Sequence, residues 1–271
     1  MMQVLQLEFM QNALIAAVLA SIAFGIIGSL VVVNREVFIA GGIAHAAYGG
    51  VGLGFLLSLD PSLTAMGFGF VAALAMGITR RFTRQRSDTL IGMLWAVGMS
   101  LGVIFINSTP GYTANAKSYL FGSLLAVSGS DLIVIASVTA AIVAFAVLYY
   151  RPLMAYSFDP TFTLARGLPT FALELVLLAA IALTVVVLMQ VVGLILLIAM
   201  LTIPAACGAL FAHSLRSMMI ATISIGIVTS VAGLAASYTF DLTSGPAIVL
   251  TASAAFAIAL PTQRLIGWTK A

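Results

Sequence analysis

Nine apolar stretches, each near the length that carries a helix across a lipid bilayer, decide the class of this chain. They cover residues 9–33, 38–59, 62–78, 89–106, 132–149, 171–189, 191–212, 218–238 and 247–260. A helix needs about 20 apolar residues to cross the hydrocarbon layer. The last run is the shortest, so nine spans are expected, with eight as the alternative. A membrane β-barrel would show alternating ten-residue segments, and the sequence has none. Composition agrees, since 62% hydrophobic and 7% charged residues leave more apolar surface than a water-soluble domain can hide. The expected fold is all-α: a polytopic membrane helical bundle forming one domain over residues 1–271.

Basic residues then orient the bundle. With nine alternating crossings, Arg35, Arg80, Arg81, Arg84, Arg86, Arg151, Arg166, Arg216, Arg264 and Lys270 fall on one side, and only Lys117 on the other. Positive charge is retained on the cytoplasmic side. The N-terminus is therefore expected outside and the C-terminus in the cytoplasm. Residues 1–8 have no basic n-region, and the first run lacks a small-residue cleavage pattern, so it is expected to remain as a span. The net charge of +3 is too small to suggest nucleic-acid binding.

The longest polar interruption, residues 151–170, faces the cytoplasm in this topology. It contains Arg151, Asp159 and Arg166, punctuated by Pro152, Pro160 and Pro169. Asp159 before Pro160 is a helix-start signal, and Gly167 is a stop signal. A short helix from Pro160 to Arg166 is expected, presenting a contact surface to another protein. On the outer side, Asn107-Ser-Thr-Pro-Gly111 reads as a turn. The apolar piece 118–127 is too short to span and is expected to dip back against the bundle.

The second run holds six glycines and one histidine between Ala40 and Gly54. Gly42, Ala46, Gly50 and Gly54 recur every four residues, a small-residue stripe that admits another helix or a second protomer. Gly41, Gly49 and Gly52 flank His45 on its own face, which predicts free space before the imidazole. An ionisable group inside a membrane is a functional candidate by default, and imidazole suits zinc and other first-row metals. The bland alternative is a structural hydrogen bond to a neighbouring helix. Tyr48 is a packing residue on this reading, and His213 sits at a helix end. Lone Cys207 can form neither an intrachain disulfide nor a cysteine metal cluster.

Other chemistries are disfavoured. The acids map to the ends of the spans: Glu8, Asp60, Asp131 and Asp241 outside, Glu36, Asp88, Asp159 and Glu174 inside. An ion-coupled carrier would need a mid-membrane acid or a broken-helix ion site. There is no HExxH pair and no Gly-x-x-x-x-Gly-Lys-Ser/Thr loop, so any ATP that drives the chain is bound by another polypeptide. Pro204, with Thr202 before it, is expected to bend its helix, the threonine bonding back to the preceding turn.

Four stretches together resemble a known family. They are Arg35-Glu-Val-Phe-Ile-Ala-Gly-Gly-Ile-Ala-His-Ala46, Ser118-Tyr-Leu-Phe-Gly-Ser-Leu-Leu-Ala-Val127, Phe158-Asp-Pro-Thr-Phe-Thr-Leu-Ala-Arg-Gly-Leu-Pro169 and Val192-Gly-Leu-Ile-Leu-Leu-Ile-Ala-Met-Leu-Thr-Ile-Pro-Ala-Ala206. In this order and spacing the chain resembles the membrane permease subunit of bacterial ABC importers for zinc, manganese or iron. The resemblance implies a fold similar to the vitamin B12 and siderophore permeases. It also implies a location in the bacterial cytoplasmic membrane. The implied partners are two cytoplasmic ABC ATPase subunits, an external metal-binding lipoprotein, a second permease copy and membrane lipid.

No tightly bound cofactor is implied, only a transported divalent metal, with ATP on the partner. The family pattern Asp-x-x-x-His places His45 in the metal path, while Gly41 stands where the family has Asp. Fewer hard oxygen donors favour zinc over manganese. Phe158, Asp159, Pro160, Phe162, Leu164, Arg166, Gly167 and Leu168 are implied to couple to the ATPase. Phe158, Phe162, Leu164 and Leu168 would enter a groove, and Arg166 would orient the segment. A siderophore- or vitamin-type ABC permease and an ion-coupled secondary transporter stay open as alternatives.

Overall fold

The computed structural model describes residues 7–83, 87–110, 122 and 124–268. The described residues form ten helices: α1 (Glu8–Val33), α2 (Val37–Leu57), α3 (Pro61–Phe82), α4 (Ser87–Ser108), α5 (Gly129–Phe158), α6 (Pro160–Ala165), α7 (Thr170–Val192), α8 (Leu194–Phe211), α9 (Leu215–Phe240) and α10 (Ser244–Trp268). All but the short α6 are long and apolar enough to cross a membrane, which makes nine candidate spans. Arg84, Arg86, Lys117 and Lys270 lie outside the described residues.

Two differences from the expected boundaries have one physical cause. α5 does not stop at Tyr149 but runs through Arg151 and Pro152 to Phe158. α10 likewise runs past Leu260 through Pro261. Helical hydrogen bonds are local and persist in the interfacial layer, so loss of hydropathy marks a change of solvent rather than a helix end. The expected α6 is present one residue shorter, with Arg166 as its C-cap.

The bundle has an inner and an outer set of helices. α1, α2, α7 and α8 are mostly buried, whereas α3, α4, α5, α9 and α10 keep one side open. Close approach is made by small residues. Gly28 of α1 abuts the Leu201 carbonyl of α8, and Gly208 of α8 abuts Thr222 of α9. Hydroxyl pairs join α1 to α9: Ser29 Oγ donates to Thr222 Oγ1 at 3.2 Å, and Ser21 and Ser230 hydroxyls lie 3.4 Å apart. In hydrocarbon such contacts replace the hydrophobic effect as the glue between helices.

Local signals set the joints. The Asp60 carboxylate accepts from Ser62 N at 2.7 Å and starts α3 on Pro61. Ser128 and Asp131 form a capping box for α5. Gly193 joins α7 to α8 with φ of 78°, a conformation costly for any residue with a Cβ. In α8 the Thr202 hydroxyl donates to the Ile198 carbonyl at 2.8 Å, two residues before Pro204, and the helix continues through both. Cys207 is a buried free thiol. Of the outer apolar piece, residues 118–121 and 123 lie outside the described residues. Leu124–Ala126 forms one 3-10 turn whose Leu124 is buried in the core.

Candidate metal pathway and coupling surface

His45 lies eight residues into α2, so it sits about 12 Å along the helix from its first residue. Its Nδ1 is 2.8 Å from the Gly41 carbonyl oxygen, one turn earlier. A carbonyl only accepts, so Nδ1 carries a proton, and in the neutral ring the lone pair is on Nε2. That is the tautomer in which an imidazole can bind a metal through Nε2. Among the described residues, no three His, Cys, Asp or Glu side chains converge as a metal cluster.

The space expected in front of His45 is not free. The indole of Trp95, from α4, stacks on the imidazole with centroids 4.8 Å apart and planes 17° apart. The glycines make room for α4 instead. A Cβ at Gly41 would lie 2.9 Å from Trp95 Cζ2, one at Gly42 would lie 3.1 Å from Trp95 Nε1, and one at Gly52 would lie 2.9 Å from Gly102 Cα. In return, a Cβ at Gly98 of α4 would lie 2.6 Å from Ala46 Cα. Trp95 Nε1 is buried with no hydrogen-bond partner.

The remaining small residues face the other way. A Cβ at Gly50 would meet Ala65 Cα at 2.8 Å, and one at Gly54 would meet Pro61 Cα at 2.7 Å, both in α3. Gly42, Ala46, Gly50 and Gly54 thus seat α3 and α4 of the same chain. They leave no open stripe for a second protomer.

Gly41 and Trp95 are sterically linked. An aspartate at 41 would drive its carboxylate into the indole. Gly41→Asp is expected to cost about 3 kcal/mol of stability through overpacking and a poorly solvated charge. Adding Trp95→Ala should recover most of that loss, a non-additivity that thermal midpoints of the single and double variants would show. Additive losses would refute the linkage.

At the arginine-bearing end, α6 is short and well capped. The Asp159 carboxylate accepts from Phe162 N at 2.8 Å, Pro160 occupies the first turn, and Gly167 takes φ of 77°. Thr163 alone is buried. Phe158 is 66% exposed, Phe162 53% and Leu164 62%. Arg166 lies over the Phe162 ring, 5.6 Å from its centroid. Three large apolar side chains at and beside this capped helix thus face outward from the bundle.

The chain matches the model of the ABC 3 transport family over residues 6–263. The chain belongs to the ABC 3 transport family. This ABC 3 family chain is 49% identical over 264 residues to an uncharacterized membrane protein of Synechocystis sp., covering 97% of this chain and 94% of that one. It is 34% identical over 265 residues to the manganese transport system membrane protein MntC of Listeria monocytogenes, with the same two coverages. Among solved structures, PsaBC from Streptococcus pneumoniae in complex with Fab superposes with a TM-score of 0.88 at 34% identity. That alignment covers 99% of this chain and 98% of the other. The chain is a multi-pass ABC permease by fold and family.

A charged cluster that the sequence did not single out joins α2, α3 and α7. Glu36, the N-cap of α2, is 3% exposed, and its Oε1 lies 3.2 Å from Arg80 Nη1. Glu174 Oε1, in α7, is 3.4 Å from the same nitrogen. Glu36 Oε2 has no hydrogen-bond partner. Burial lifts the Glu36 carboxyl to about 7 despite the opposing pull of Arg80. A carboxyl pKa raised on folding favours the fold at low pH, and that contribution is lost as pH rises through about 7. The ABC 3 family chain should therefore lose about 3 kcal/mol of stability between pH 4.5 and pH 8 from this group. Thermal midpoints of wild type and Glu36→Gln across that range check this, since the substitution should remove the slope.

Proposed function

We propose that this ABC 3 family chain is the membrane permease of an ATP-driven importer of a divalent transition metal, located in the bacterial cytoplasmic membrane. The observation that carries the ATP-driven reading is α6, a capped helix displaying Phe162 and Leu164 beside Phe158, the last residue of α5, at the arginine-bearing end of a chain without a nucleotide loop. Such a helix suits the groove of a cytoplasmic ABC ATPase. Arg35, Arg80, Arg81, Arg151, Arg166 and Arg216 all fall at this end of the alternating spans, which supports a cytoplasmic α6 and an external N-terminus. The further partners are an external metal-binding lipoprotein, membrane lipid and a second permease copy. A second copy would add another imidazole to a path in which each chain offers one.

The names of relatives such as MntC support manganese as the cargo. The donor chemistry at His45, an imidazole beside a glycine rather than a carboxylate, favours zinc. The test is reconstitution of the permease with its ATPase and binding protein in liposomes, with imported manganese and zinc measured by elemental analysis. ATP-dependent entry of either ion is the expected result. Entry driven by an ion gradient through the permease alone would overturn the reading in favour of a secondary transporter.

A further inference from the structure

The link between α1 and α2 is the tripeptide Asn34-Arg35-Glu36, with Arg35 in the left-handed region at φ of 58°. Its two outer side chains reach opposite flanks of α6. Asn34 Nδ2 donates to Ser157 Oγ at 2.9 Å, two residues before the Asp159 cap. Glu36 pairs through Arg80 with Glu174, in the first turns of α7 just after α6. The next arginine, Arg81, lies 4.5 Å over the Phe171 ring of the same helix. Asn34 is also bonded to its own helix, its Nδ2 lying 2.8 Å from the Leu30 carbonyl. The segments entering and leaving α6 are thus tied to the link between α1 and α2.

We propose that Asn34, Glu36 and Arg80 form the linkage through which displacement of α6 reaches α2, and with it His45. The inference rests on the reading of α6 as the ATPase contact. Tethering before and after α6 would turn a shift of that helix into a shift of the α2 start. Arg80 is a positioning residue here: it holds two carboxylates from two helices and touches no cargo. The groups facing Glu36 are Arg80 from α3, Glu174 from α7 and Tyr156 from α5, which lies within electrostatic reach of all three. With one guanidinium between two carboxylates, the tether tightens when Glu36 is ionised, since a charge-assisted bond is the stronger one.

The test uses the assembled importer in liposomes and reads ions imported per ATP hydrolysed. Asn34→Ala combined with Arg80→Gln is expected to lower that ratio at least tenfold while hydrolysis stays within twofold of wild type. Arg80→Lys, with Asn34 intact, should restore most of the ratio. Import and hydrolysis falling in proportion, or a ratio within twofold of wild type, would overturn the linkage. Should the double variant not assemble, the isosteric Glu36→Gln decides alone. In wild type the ratio should rise from pH 6 to pH 8, and in Glu36→Gln it should be flat. An unchanged pH profile overturns the proposal. A wild-type assembly that imports no metal would instead refute the functional reading on which the linkage rests.

Discussion

Replacing Phe162 with glutamate should release the permease from its ATPase. Phe162 stands on the exposed side of α6, with the Arg166 guanidinium over its ring. Buried aromatic anchors at protein interfaces are worth about 2–4 kcal/mol. That corresponds to roughly 30- to 1000-fold in affinity. A carboxylate adds a desolvation penalty that truncation to alanine would not. The expected loss is therefore at least about 100-fold, with the bundle intact, because Phe162 supports no core contact. Affinity of the isolated ATPase for permease in detergent, with circular dichroism as a control on helix content, gives the measurement. Unchanged affinity would reduce the apolar face of α6 to an anchor at the membrane boundary.

The second large effect is expected at His45. His45→Ala removes the Nε2 lone pair while leaving α6 and its docking untouched, so metal import should fall about 100-fold or more with assembly preserved. Loss of an outer-shell partner alone typically costs 10–100-fold in metal affinity or activity, and His45 would be an inner ligand. Radiotracer uptake, with co-purification of the ATPase as the control, separates the two roles. Import at wild-type rate would take His45 out of the path and favour a siderophore- or vitamin-type cargo, which needs no imidazole.

The spans and α6 could be read from the sequence because their causes are local. Hydrocarbon demands apolar runs of a fixed length, and Asp159, Pro160 and Gly167 each act within a few residues of themselves. The surroundings of His45 could not be read in this way. The glycines at 41, 49 and 52 signalled space, but nothing near them in sequence signalled that Trp95 would fill it, since the contact comes from a different helix. The Glu36 cluster was hidden for the same reason: the pair with Arg80 joins residues 44 positions apart. In the sequence Glu36 looked like one more acid at a helix end. The continuation of α5 through Pro152 carries no signal in the sequence, because polarity there marks an exit from lipid and not an end of helix.

The seam between α2 and α4 has a mechanical meaning. Where Gly52 meets Gly102 and Gly98 meets the backbone at Ala46, the two main chains approach with no side chain between them. Sliding either helix by one residue would push Val51 or Leu53 into a slot that admits only hydrogen. The two helices therefore keep a fixed register, as meshed gears do when they cannot turn. Whatever displaces the start of α2 must carry Trp95 along with His45, so the ring and the imidazole would travel as one piece, and access to Nε2 would change only by movement of that piece against the rest of the bundle.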